Sequence, residues 1–495
     1  MYRKFLKVTH PHLALALIIA GVGVLLFTYT EPLIDDAFIT FRYAENIAAG
    51  NGFVYNTGER VQGTSTPLFA MLLAVCKMIG IETVTASLVL SIVSFVLSIW
   101  LVFLLTKEMH SATAGIVAIL FLLTSGRFML WQMQGMETPL YCFVMLVALY
   151  AIRKRNWFFL PVLMLVRMDG AILIASALIA FAFQLYPAQK EFTKKFTLLL
   201  FSKEGKSFFL ASMLLLLPWC IFAQLYFGDV FPQSMIAKQA HVQAVSRWWM
   251  VKYFSLNPLF LLALFSPLVW KKTDVRTLTI SRAMWFFLFL YLGAFTIVAH
   301  GEEYDWYTVP MFPIISILSA IVLIRGIDFM SEYFSRNRSR ARFAVQLGCA
   351  ILFAIYQAFF FRREYIGKQY WAEVIETNRI LCGEFVKKNF PESSLVCAGA
   401  IGHIGYITQM RTIDWLGLVS PQATGKTIDE VVRMTRPDIV IGHDLRGVEF
   451  SKSNFPSLAA YPHHRLIENA RASEWGNYHI YSMTKPSGGN KNGEE

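Results

Sequence analysis

Two adjacent carboxylates, Asp35 and Asp36, open a polar stretch, Leu33–Leu68, that also carries Arg42 and the turn-forming Gly50, Gly52 and Gly58 between long apolar runs. A carboxylate in such a loop can serve as a general base, taking the proton from a hydroxyl. Further ionisable residues interrupt the apolar sequence downstream: Glu137, Arg167 with Asp169, Asp229, Lys238, and His300 through Asp305. Arginine and lysine can grip a phosphate and stabilise the charge that grows as it leaves. Together these types suit transfer of a sugar from a lipid phosphate, whose oxocarbenium-like transition state needs the leaving group on one face and a deprotonated acceptor on the other. Lys238, Arg42 and Arg167 are the candidates for phosphate contacts; Glu137, His300 and Asp305 are candidates for sugar hydroxyls or the acceptor. A plainer reading of the acidic pair is also open, in which Asp35 and Asp36 cap and begin the helix that follows.

The elements that must position these residues are membrane helices. Hydrophobic residues are 56% of the chain and charged ones 16%, with a mean hydropathy of +0.48, which excludes a soluble core with a polar skin. The net charge of +12 does not signal nucleic acid, because the basic residues cluster in short loops between apolar runs, where they set orientation. Arg3, Lys4 and Lys7 place the N-terminus inside, before an uncleaved first helix over Leu13–Tyr29, so Asp35 and Asp36 lie at its outer end. An amphipathic surface helix is expected over Ala37–Ala49. Later spans are expected near Pro67–Gly80, Ala86–Thr106, Ala112–Ser125, Pro139–Tyr150, Phe208–Phe227, Leu256–Trp270, Trp285–Ala299, Val309–Ile324 and Phe343–Phe361. Trp157–Tyr186 is long for one helix, short for two, and broken at Arg167–Gly170. Keeping the basic loops inside requires one short candidate before Tyr150 to be a half-helix or re-entrant segment. The count comes to about eleven crossings, and the polar interruptions then collect on the outer side. A lipid or polysaccharide transporter would instead spread them along a pathway and show internal repeats. From Arg362 the apolar runs shorten to strand length, as at Leu395–Ala400, Arg411–Trp415, Asp438–Gly442 and Tyr478–Met483, with helices over Glu373–Asn389 and Ile428–Arg436. The expected architecture is an all-α polytopic membrane domain over residues 1–361, a small C-terminal α/β domain over 362–485 on the extracytoplasmic side, and a disordered tail over 486–495. Cys382 and Cys397 could pair if that domain is outside.

The residues also carry a resemblance. D-D-A-F-I-T-F-R-Y-A-E-N from Asp35, followed by G-N-G-F-V-Y-N-T-G-E-R-V-Q-G-T-S-T-P-L, resembles the first outer loop of the C-type fold of integral-membrane glycosyltransferases, in particular the mycobacterial terminal arabinofuranosyltransferase and the pilin arabinosyltransferases of Gram-negative bacteria. G-M-E-T-P at Gly135, R-M-D-G at Arg167 where relatives more often have R-P-D-G, F-G-D-V-F-P-Q-S-M-I-A-K ending at Lys238, E-Y-D-W at Glu303, and G-A-I-G-H-I-G-Y with I-D-W-L-G-L over Gly399–Leu418 add to it. The resemblance implies a polyprenyl-phosphate sugar donor, typically arabinofuranose, a cell-envelope acceptor that is glycan, lipid or protein, and an enzyme of the bacterial inner membrane with its C-terminal domain in the periplasm. The catalytic base falls on the acidic pair, with Asp35 as base and Asp36 supporting. Another prenyl-phosphate sugar remains the alternative donor. His403 and Asp414 are read as packing and turn residues. No metal is expected to be obligatory, since arginine and lysine can hold a monophosphate, although the acidic pair with Asp305 or Glu303 offers oxygen ligands for a divalent cation.

Overall fold

The structure is a computed structural model that describes residues 2–27, 29, 31–185, 201–240, 248–270, 273–297, 304–334, 364–444, 449–467 and 477–483, with isolated residues between 346 and 356. Among them, Thr83–Met109, Lys203–Phe227, Val275–Ile297 and Asp305–Phe329 are helices long and apolar enough to cross a membrane. Only 11% of the apolar window in Lys203–Phe227 is buried against protein, compared with 83% in Asp305–Phe329. An apolar helix that bare, with Leu225 79% exposed, requires lipid around it.

Shorter apolar helices run over His12–Leu26, Pro67–Met78, Ala112–Leu123, Thr138–Arg153 and Gly170–Gln184. Ala112–Leu123 has 12 residues, which at about 1.5 Å each covers about 18 Å of a ~30 Å hydrocarbon layer. Four helices of crossing length are thus found among the described residues, where about eleven crossings are expected for the whole chain. Leu256–Trp270, expected as one crossing, is broken in two. Asn257 Oδ1 accepts the backbone N–H groups of Leu259 and Phe260 at 3.0 and 3.2 Å, starting a helix Pro258–Leu264, and a 3₁₀ turn Ser266–Val269 with Pro267 follows. Trp157–Tyr186 likewise holds two helices, Val162–Val166 and Gly170–Leu185, separated where Arg167 turns extended (φ −154°, ψ 139°). The expected crossing Phe343–Phe361 and the tail 486–495 lie outside the described residues, save a few positions.

The expected surface helix begins two residues early, at Asp35, and runs to Ala48 with Asp35 and Asp36 in its first turn. It is mostly a core helix: Asp35, Ala37, Ile39, Thr40, Phe41, Arg42, Tyr43, Ala44 and Asn46 are buried, while Asp36 and Glu45 keep part of their side chains exposed.

Near the C-terminus five strands form one mixed sheet in the order β2-β1-β3-β5-β4. β1 (Val396–Ala398) runs parallel to β2 (Thr412–Asp414) and β3 (Ile439–His443); β3 is antiparallel to β5 (Tyr478–Ser482), and β5 to β4 (His463–Ile467). β4 escapes the sequence reading because His463-His464-Arg465 lacks an apolar alternation, as suits an edge strand. Helix Ile401–Thr408 escapes it because its two glycines break the helical pattern. Helix Ile428–Thr435, expected over Ile428–Arg436, opens on a Thr427/Glu430 capping box. Cys382 and Cys397 are both buried, and no disulfide joins them.

The chain divides into two compact units. One gathers Met1–Tyr29, Leu88–Cys220 and Gln243–Ile366; the other gathers Thr30–Ser87, Ile221–Val242 and Gly367–Glu495. The sheet region thus shares its unit with the acidic stretch and with the segment that carries Lys238.

Candidate active site

Helix Asp35–Ala48 is held against helix Ile401–Thr408 within the second unit by close packing. A Cβ at Gly402 would overlap the backbone of Asp35, and one at Gly405 would overlap the Tyr55 hydroxyl, so glycine is required where the two helices meet. The Tyr55 hydroxyl donates to the carbonyl of Ile401 at 2.6 Å. The G-H-I-G spacing in the sequence is thus a helix-packing device.

Asp35 is consumed by that contact. Its Oδ2 accepts Gly402 N–H at 3.0 Å, and its Oδ1 accepts His403 N–H at 2.8 Å and faces His403 Nδ1 at 3.2 Å. The carboxylate caps the N-terminus of the second helix, where it complements the orphan amides and the dipole. His403 Nδ1 also lies 3.3 Å from Glu376 Oε2, and Glu376 is gripped through both oxygens by Arg379 Nη1 at 3.1 and 3.0 Å. Burial disfavours charge on Asp35, but Arg379 and then His403 outweigh it and hold the carboxyl at about 2. Its side chain is 7% exposed. Such a carboxylate makes a weak and inaccessible base.

Asp36 is different. Its side chain is 31% exposed, and its Oδ2 faces Lys238 Nζ at 3.9 Å. Partial burial raises its pKa; Lys238 opposes this, and the neighbouring Asp35 charge adds to it. Lys238 sits on helix Gln233–Ala240. Gln233 anchors that helix, its N–H donating to Gln62 O at 2.8 Å and its Nε2 to Gly417 O at 3.0 Å and Thr424 Oγ1 at 2.8 Å.

Arg42, expected at a phosphate, is 2% exposed and already engaged. Nη1 donates to Gly405 O at 2.9 Å, Nη2 donates to Met410 O at 2.7 Å, and the guanidinium lies 4.1 Å from the Tyr55 ring centroid. Beside it, Asn56 donates to Thr412 O at 2.9 Å and accepts Thr412 N–H at 3.0 Å, finishing the free edge of β2. Asp414 is the turn residue the sequence suggests, accepting Leu416 and Leu418 N–H at 2.8 and 2.6 Å.

The remaining candidates belong to the first unit. Arg167 Nη2 pairs with Asp169 Oδ2 at 2.8 Å, and Nε approaches Glu137 Oε1 at 3.6 Å. The Tyr141 and Tyr307 rings are each 5.0 Å from its guanidinium, and the Tyr291 hydroxyl donates to Asp169 Oδ2 at 2.7 Å. Arg167 and Glu137 are 4% and 6% exposed, so this is a self-paired polar core at the helix break. Asp305 pairs with Arg127 Nη1 at 3.0 Å, and Arg127 Nε with Glu364 at 3.3 Å. Of these, Arg127 and Glu364 have no signal in the sequence. His300 and Glu303 lie outside the described residues.

Among the described residues, one group of side chains has the donor types for a cation: Asp35, Glu376 and His403, whose ligand atoms lie within 4.8 Å of one another. Its charges are already balanced. Two carboxylates face Arg379 and His403, whose pKa is lowered by burial but raised by more through its bonds to Asp35 and Glu376. With His403 protonated, the four groups sum to zero; a dication bound to neutral His403 would leave a buried net positive charge beside Arg379. The residues fit a proton at their centre and do not fit a divalent ion.

Residues 368–483 match a family model described as a domain of unknown function, DUF8728. No curated protein matches the chain. Solved structures are similar over nearly its whole length. The apo oligosaccharyltransferase of Archaeoglobus fulgidus superposes with a TM-score of 0.60 at 14% identity, over 96% of this chain and 74% of that one. Apo ArnT from Cupriavidus metallidurans gives 0.58 at 13% identity, over 97% and 98%. ArnT bound to undecaprenyl phosphate gives 0.50 at 14%, over 96% and 97%. The chain therefore has the fold of C-type membrane glycosyltransferases.

Proposed function

We propose that the protein transfers a sugar, arabinofuranose by the resemblance of its first loop, from a polyprenyl phosphate to a cell-envelope acceptor at the extracytoplasmic face of the membrane. Asp36, and not the Asp35 favoured by the sequence, is the general base. The observation that carries this is the contrast within the pair: Asp35 has both oxygens engaged, while Asp36 is partly exposed and opposite Lys238. The shared fold and a relative solved with undecaprenyl phosphate support a polyprenyl-phosphate donor.

In the proposed reaction Asp36 takes the proton of an acceptor hydroxyl as its oxygen bonds to the anomeric carbon. The bond from that carbon to the phosphate oxygen breaks, and the electron pair leaves with the polyprenyl phosphate. Configuration at that carbon inverts. Lys238, on a flexible four-carbon stem, moves from Asp36 to the donor phosphate. That transfer neutralises the leaving group and removes from Asp36 the charge that lowers its basicity.

The test is consumption of synthetic polyprenyl-phosphate sugars by membranes containing the protein. Release of polyprenyl phosphate from the arabinofuranosyl donor, with a several-fold rise in its KM in Lys238→Met, is the expected result. Turnover of a different sugar alone would replace the donor and keep the mechanism. No turnover of any donor would overturn the reading.

A further inference from the structure

The proposed transfer leaves His403, Glu376 and Arg379 without a role, yet with Asp35 they form a buried cluster of charged groups in the second unit. Among the described residues, several groups face His403. Asp35 approaches from helix Asp35–Ala48, and Glu376 and Arg379 approach from Ala372–Asn389. The Phe38 ring lies 4.1 Å from the imidazole, centroid to centroid. Tyr406 contacts Phe38 from His403's own helix. Tyr478 on β5 accepts Arg379 Nε–H at 2.9 Å through its hydroxyl. Beyond these lie Asp36 with Lys238, and His443 on β3, whose charge is disfavoured by burial and by Arg379. The cluster joins three elements at the residue next to the proposed base.

We propose that His403, Glu376 and Arg379 are positioning residues. Acting through Asp35, they fasten the first turn of helix Asp35–Ala48 to the C-terminal sheet region and so fix where Asp36 meets the acceptor, with His403 and Arg379 supplying the positive charge in place of a divalent cation. This rests on the transferase reading. Removing one partner leaves a buried uncompensated charge, and a misplacement of about 1 Å at the base can cost about 100-fold in rate. Since none of the three touches the donor, their loss lowers kcat and leaves the donor KM nearly unchanged.

The experiment uses the full-length purified protein and reads thermal unfolding and transfer side by side. Wild type, Asp35→Asn, His403→Gln, Glu376→Gln and the double variant Asp35→Asn/His403→Gln are each measured with EDTA, Mg²⁺ or Zn²⁺ across pH. The expected results are a 10- to 100-fold loss of kcat in His403→Gln and Glu376→Gln with donor KM within about three-fold, and a Tm of the double variant close to that of the lower single variant. EDTA and either metal leave the wild-type Tm and kcat unmoved. The wild-type Tm falls on the alkaline side as His403 loses its proton, and His403→Gln lacks that limb. His403→Lys, which restores a cation, recovers part of kcat and also lacks the limb. A wild-type Tm and rate that fall together with EDTA and return with a divalent ion would overturn the proposal, as would additive Tm losses. Normal kcat in folded His403→Gln and Glu376→Gln would do the same. The unfolding readouts stand even if no sugar is transferred, which separates failure of this clasp from failure of the transferase reading.

Discussion

Adjacent identical side chains can have opposite fates, and Asp35 and Asp36 do. Asp35 is turned onto two backbone amides and an imidazole, whereas Asp36 keeps a partly exposed carboxylate. Because the pKa of Asp36 is raised from 3.8, chiefly by burial, its basic form is lost as pH falls through that raised value. The kcat/KM–pH profile, which reports the free enzyme, should therefore have an acid limb above pH 3.8, moved to higher pH in Lys238→Met, which removes the charge that opposes the shift. An acid limb unmoved by that substitution would assign it to another group. The stability windows run by sign. His403, raised from 6.5, contributes fully below about 6.5 and loses its share as pH rises through the raised value. Asp35 and Glu376, lowered from 3.8 and 4.5 against the cost of burial, contribute above those values and lose it as pH falls. At this scale the sequence located the acidic pair and Lys238, because charges flanked by apolar runs stand out. It could not rank the two acids, since what separates them comes from residues more than 360 positions away.

Elements carry the next set of expectations. Gly402→Ala would drive a methyl group into the Asp35 backbone and should lower stability by about 1–3 kcal/mol, with kcat falling as the clasp loosens; an unchanged urea midpoint would show that the helices part freely. Arg42→Met should cost about 3 kcal/mol or more by leaving the buried carbonyls of Gly405 and Met410 unpaired, and the donor KM of whatever folds should be near normal. A large, selective rise in KM would instead return Arg42 to the phosphate. Helix Asp35–Ala48 was legible as a helix, but its register against solvent was not, because its partner glycines at 402 and 405 are distant in sequence. β4 and the break at Ser266-Pro267 were missed for local reasons, a polar edge and a short apolar run that looks continuous.

For the whole molecule, the membrane class was legible from composition alone, and the bare apolar face of Lys203–Phe227 agrees with it. The number of crossings was not, since periodicity cannot tell a helix of 12 residues from one that spans, and several apolar segments here are short. The division into units was also hidden: residues 30–87 and 221–242 join the C-terminal region through contacts such as Gln233 with Gly417 and Asn56 with Thr412. In the other unit, the self-paired Arg167, Asp169 and Glu137 should behave as a core. Arg167→Met leaves two buried carboxylates without their cation and should cost about 3–5 kcal/mol, seen as loss of folded protein in detergent; a stable variant with raised donor KM would make Arg167 a ligand residue.

The most direct test of the account is single-turnover transfer from polyprenyl-phosphate arabinofuranose by purified wild type, Asp36→Asn and Asp35→Asn, with unfolding midpoints measured on the same samples. The account predicts that Asp36→Asn keeps its midpoint and loses at least about 100-fold in rate, as removal of a general base should, and that Asp35→Asn loses stability together with a smaller part of its rate. Full activity in Asp36→Asn, or a stable Asp35→Asn that is the more inactive of the two, would contradict it.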